Sequence, residues 1–199
     1  LMIKSINKEE IGFVTLLSVL QVFLVVVLSL LVMFTPIGEN EIIQTGIVMG
    51  SSFVIIPWYL IKRKYNVSLE DLGATAGRKS FLIIELLLLL VFVIAVKIVA
   101  NPVGYMTLVM TTLFVAVCEE FWARGCLFYI WGRLFENKLI VCLISTLIFV
   151  FVVHMNRGVL ENALYRLPGA LIMGLIYWKT GKLQYSIGFH FIYNILGSI

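Results

Sequence analysis

Two adjacent carboxylates and an arginine, Glu119, Glu120 and Arg124, sit late in an otherwise apolar run from Tyr105 to Ile130. Insertion scales put roughly 2.5–3.5 kcal/mol on each such charge at the centre of a membrane-spanning helix, so their presence needs a reason. On a helix Glu120 and Arg124 are four apart with the acid first, which places them on one face and lets them pair. Glu119 is turned about 100° from Glu120. The stretch reads either as an internally neutralised ion pair that fixes helix packing or as a buried acid poised for proton transfer. The chain has two histidines. His154 ends another apolar run, and His190 lies in a third with Asn194 one turn later on the same face. Each alone reads equally as a hydrogen-bonding packing residue. Taken together, the set supports hydrolysis. A carboxylate takes a proton from water, a neutral imidazole orients it, and a second imidazole with an amide stabilises an oxyanion.

Metal chemistry is the alternative, because Glu119, His154 and His190 are sensible zinc ligands. The short signature His-Glu-x-x-His is absent, so a metal-free reaction with no cofactor is the expectation and zinc the second choice. Other intramembrane protease types are excluded. Gly50-Ser51-Ser52-Phe53 does not supply a Gly-x-Ser-Gly element, and Asp71 is the chain's sole aspartate, where an aspartyl site needs two.

The elements that must carry these residues are membrane helices. The 199 residues are 61% hydrophobic, with a mean hydropathy of +1.06, and the apolar runs are continuous rather than alternating. This composition specifies an all-α, polytopic transmembrane bundle and excludes a soluble domain or a β-barrel. Seven spans are expected: Ile11 to Phe34, about Ile42 to Ile61, Phe81 to Ala100, Tyr105 to Ile130, Leu139 to His154, Leu167 to Trp178 and Tyr185 to Ile199. The first reads as an uncleaved span, not a signal peptide. The last three are short for a bilayer of ~30 Å, which needs about 20 residues. Thr35-Pro36-Ile37-Gly38 and Asn101-Pro102 separate spans, the segment Met155 to Arg166 reads as a polar link, and Ser68-Leu69-Glu70-Asp71 looks like a helix start on the membrane surface. Glu85 and Lys97, near the ends of the third span, are expected to snorkel towards headgroups, and Gly169 and Gly174 to allow close helix contacts.

Basic residues alternate from side to side. The head, Lys62–Lys79, Arg133–Lys138 and Lys179–Lys182 are basic, whereas Thr35–Glu41 and Asn101–Gly104 have no Lys or Arg. The expectation is a multi-pass protein of the cell membrane with its N-terminus in the cytoplasm, although Arg157 and Arg166 fall on the outer side. The formal charge of +4 serves this orientation and implies no nucleic-acid partner. Cys118, Cys126 and Cys142 lack CxxC spacing and read as small packing residues. Residues 1–199 read as a single transmembrane domain, with a polar cavity inside the membrane and the chemistry confined to 105–199.

Three motifs in order resemble the CAAX prenyl protease and bacteriocin-processing family, also called the Abi family. Its Glu-Glu-x-x-x-Arg element matches Glu119-Glu120-Phe121-Trp122-Ala123-Arg124, followed by the frequent Gly at Gly125. Its His-x-x-x-Asn element matches His190-Phe191-Ile192-Tyr193-Asn194, and Gly174 to Leu183 is similar to the segment that precedes it. Its Phe-x-x-x-His element matches at His154 but departs at the aromatic, since Val150 stands four before it with Phe149 and Phe151 on either side. The resemblance implies an intramembrane endopeptidase in which Glu119 activates water with His154, and His190 and Asn194 form the oxyanion site. Glu120 with Arg124 would shape and charge that site. Members have been classed both as metalloproteases and as glutamate-dependent proteases. The implied partner is a membrane-associated or lipid-modified peptide or protein. The small size suits bacteriocin maturation or self-immunity better than prenyl-protein processing. A non-catalytic membrane immunity or binding protein using the same cavity is the other reading.

Overall fold

The apolar runs become helices α1 (Lys8–Met33), α2 (Glu41–Tyr65), α3 (Lys79–Val99), α4 (Tyr105–Leu134), α5 (Lys138–Val153), α6 (Val159–Thr180) and α7 (Leu183–Leu196). A computed structural model describes residues 8–75, 79–100 and 104–198; the expected break at Asn101-Pro102 lies outside them. Among the described residues there is no strand, and α1, α2, α4 and α6 are each long and apolar enough to cross a membrane. Leucines 86, 87 and 88 of α3 and Phe23 and Leu31 of α1 face outward, as apolar side chains in lipid do.

Helix α4 runs through the centre. Trp122, Ala123, Leu127 and Ile130 have no exposed surface and join Leu17 of α1, Phe53 of α2, Phe149 of α5, Tyr177 of α6 and Leu183 of α7 in one core. The side of the bundle where α2 and α4 end is tied by Glu10, whose carboxylate accepts hydrogen bonds from Tyr65 Oη (2.8 Å) and Arg133 Nε (2.7 Å). Gly174 has the role expected of it: a Cβ there would lie 2.8 Å from Cys142 Sγ, so α5 and α6 touch at a point that only glycine permits. At Gly169 the corresponding neighbour is the Tyr193 ring of α7, at 3.0 Å.

Four stretches of helix widen to π-helical turns, Gly50–Ile55, Phe121–Leu127, Phe149–Val153 and Asn162–Arg166. The first and last precede Pro57 and Pro168. A proline has no N–H to donate and its ring crowds the carbonyl four residues back, and a wider turn relieves both. The other two lie at the residues singled out for chemistry.

Three expectations are corrected. The link before the sixth span is helical from Val159, eight residues earlier than read. One of its polar side chains, Asn162, is directed inward and only 1% exposed, while Arg157 stays at the surface. Glu85 does not snorkel alone: its Oε2 accepts a hydrogen bond from Gln184 Nε2 of α7 at 3.2 Å. The Ser68–Asp71 start yields only one 3-10 turn, Glu70–Leu72. There Ser68 donates to the Asp71 carboxylate through both N–H and Oγ and holds that carboxyl below its ordinary range.

Candidate functional site

Glu119 and Glu120 end the regular α-helical part of α4, directly before the π-turn Phe121–Leu127. The turn of roughly 100° between them puts the two carboxylates on either side of one imidazole, that of His190 from α7. Glu120 Oε1 lies 2.9 Å from His190 Nδ1, and Glu119 Oε2 lies 3.6 Å from Nε2. Glu120 therefore fixes the ring by its Nδ1 edge and leaves Nε2 facing Glu119.

Behind Glu120 stands Arg124, fully buried like its partner, with Nη1 3.3 Å from the same Oε1. The expected i,i+4 pair is present, and it is part of a larger arrangement. Arg124 Nη2 donates to the Ala170 carbonyl of α6 at 2.7 Å, and its guanidinium lies over the Phe149 ring at 5.0 Å. A buried arginine is sustained by several partners of this kind, because the desolvation of both charges must be offset by hydrogen bonds besides the pair itself.

His154 follows the last turn of α5. That helix has 16 residues, about 24 Å at 1.5 Å each, shorter than the ~30 Å of a bilayer core. The missing aromatic four residues earlier is accounted for by the π-turn Phe149–Val153. A π-turn stacks residues five apart, and Phe149 is five before His154. Its ring meets His154 edge-to-face at 5.1 Å and His190 at 6.2 Å. Phe149 thus touches both imidazoles and Arg124. Asn162 also escaped the sequence reading; its Nδ2 donates to the His154 carbonyl at 2.9 Å and its Oδ1 accepts from Arg166 Nη1 at 3.2 Å.

Glu119, His154, His190 and Asn194 line one cavity of about 140 Å³, together with Arg166 and Tyr193. Glu120 and Arg124 do not reach it and lie beneath. Cys118, Cys126 and Cys142 are buried free thiols outside its lining. No three His, Cys, Asp or Glu side chains among the described residues are grouped closely enough to hold a metal ion.

Residues 100–196 match the family model described as type II CAAX prenyl endopeptidase Rce1-like. The matched segment is similar to the Rce1-like domain. It extends from just before α4 to the end of α7 and contains Glu119, Glu120, Arg124, His154, His190 and Asn194, while α1 to α3 lie outside the match. The Rce1-like domain belongs to a family of proteases, carried here by a multi-pass helical protein. No curated protein and no solved structure matches the chain.

Proposed function

We propose that this protein is an intramembrane endopeptidase that hydrolyses a peptide bond of a membrane-associated or lipid-modified peptide without a metal. The supporting observation is that Glu119 of α4, His190 and Asn194 of α7, and His154 at the end of α5 line one cavity. Glu119 takes a proton from a water that His154 orients, and the water oxygen attacks the scissile carbonyl carbon. The Asn194 amide and the Nε2 edge of His190 meet the oxygen on which negative charge develops. Collapse breaks the C–N bond, Glu119 returns the proton to the leaving nitrogen, and one water is consumed per new carboxyl and amine. Glu120 and Arg124 hold the His190 ring and touch no reacting atom. Maturation of a bacteriocin, or self-immunity to one, is the role we assign to this activity.

Purified protein in liposomes, incubated with a library of membrane peptides in ¹⁸O-labelled water, tests the reading. Mass spectrometry is expected to find paired fragments with one ¹⁸O in the new carboxyl. Intact peptides throughout the library, with well-folded protein, would refute hydrolysis.

A further inference from the structure

A second cavity, of about 930 Å³, adjoins the small one and shares Val115, Arg166, Tyr193 and Asn194 with it. Its far rim is formed by Glu41 at the first turn of α2, Arg157 and Glu161 before and within the first turn of α6, and Ser198 after α7. These positions all lie at one end of the bundle. The opposite end is the one where Glu10, Lys64 and Arg133 meet and where Gly73 of the loop after α2 binds Leu183 at the start of α7.

The two ends differ sharply in charge. Among the described residues, Lys62, Arg63, Lys64, Arg133, Lys138, Lys179 and Lys182 belong to the end away from the cavity, whereas Lys97, Arg157 and Arg166 belong to the cavity end. Short loops rich in Lys and Arg remain in the cytoplasm, so the large cavity opens on the other side. Its wall is also informative. Thr45, Thr111, Thr112, Tyr165, Tyr193 and Arg166 present hydroxyls and a guanidinium. Thr111, Tyr193 and Arg166 have hydrogen-bond partners within the chain. Their hydroxyl lone pairs and remaining guanidinium N–H groups can also pair with the N–H and C=O groups of an extended peptide, which an acyl or isoprenoid chain lacks. The volume lies within the range of ligand clefts.

We infer that this cleft is the substrate entrance and that it receives a peptide segment from the non-cytoplasmic side. Arg166, with Nη1 bound to Glu161 at 3.3 Å and Asn162 at 3.2 Å, stands where the cleft narrows into the small cavity. The inference rests on the protease reading above and adds the direction from which substrate arrives and which part of it the cleft holds.

The test uses single cysteines at Thr45 and Ser198 on the cleft and at Glu70 on the other end; the native cysteines are buried and label slowly. A membrane-impermeant maleimide–polyethylene glycol is applied to right-side-out cells and to inverted vesicles. Thr45→Cys and Ser198→Cys are expected to shift in gel mobility only in right-side-out cells, and Glu70→Cys only in inverted vesicles. Turnover of a membrane reporter peptide by reconstituted Thr45→Cys protein is expected to be lost once the bulky adduct is attached. Labelling of the cleft cysteines only in inverted vesicles overturns the inference, as does full turnover by the modified protein. Wild-type protein without turnover overturns the protease reading and the entrance with it, an outcome distinct from an active enzyme labelled on the wrong side.

Discussion

Glu119 and Glu120 are neighbours in sequence, yet they face opposite edges of His190, and their substitutions separate accordingly. Glu120→Gln leaves Arg124 buried without its charge partner, and breaking such a pair costs about 3–5 kcal/mol. A lowered melting temperature in detergent is expected for Glu120→Gln, and a wild-type melt would show that the pair is not needed for the fold. Phe149→Leu keeps most of the volume but removes two edge-to-face contacts, worth about 0.5–1.5 kcal/mol each, and the π-face under Arg124. The expected result is a folded protein with reduced turnover; unaltered turnover would show that the imidazoles are held by other contacts. The six residues proposed for the chemistry stand out in the sequence by type, because a charge, an imidazole or an amide inside an apolar run needs an explanation. Phe149 and Asn162 do not. An α-helical count of four points to Val150, and only the π-turn brings Phe149 to His154. Asn162 lay in a polar run that reads as a loop, and its burial arises from the widened turn before Pro168.

At the scale of the helix, the fold depends on two close approaches. Gly174→Ala places a methyl 2.8 Å from Cys142 Sγ and 3.1 Å from Thr146 Oγ1, and overpacking of this kind costs about 1–3 kcal/mol. Thermal unfolding is expected at lower temperature, with partial recovery when Cys142→Ala is added. A single variant as stable as wild type would mean that α5 and α6 separate there without penalty. The number and order of helices among the described residues were legible because continuous apolar runs alternate with charged or proline-containing breaks. The early start of α6 was not, since Asn162 and Arg166 look like solvent-facing residues until their partners on His154 and Glu161 are seen. The short lengths of α5 and α7 were legible as well.

For the molecule as a whole, the matched segment holds the residues of the proposed chemistry and the unmatched segment packs against it. Leu17 of α1 and Phe53 of α2 belong to the same core as Trp122 of α4, and Phe53 meets the Trp122 ring edge-to-face at 5.6 Å. Sequence alone placed the acids and histidines in separate spans within reach of a common layer. Their convergence on one cavity depends on the π-turns and the glycine contact, which spacing does not reveal. The central claim is that Glu119 is the base. Glu119→Gln keeps shape and hydrogen bonding, is not the direct partner of Arg124, and leaves the Glu120–His190 contact in place. The deciding measurement is the turnover number of well-folded Glu119→Gln protein in liposomes beside wild type, on a peptide that both bind. A positioned general base supplies ~10²–10⁴-fold, so a loss of that order with unchanged melting temperature and peptide affinity is the expected result. Glu119→Gln protein that cleaves as fast as wild type would contradict the account and leave the cavity as a binding site.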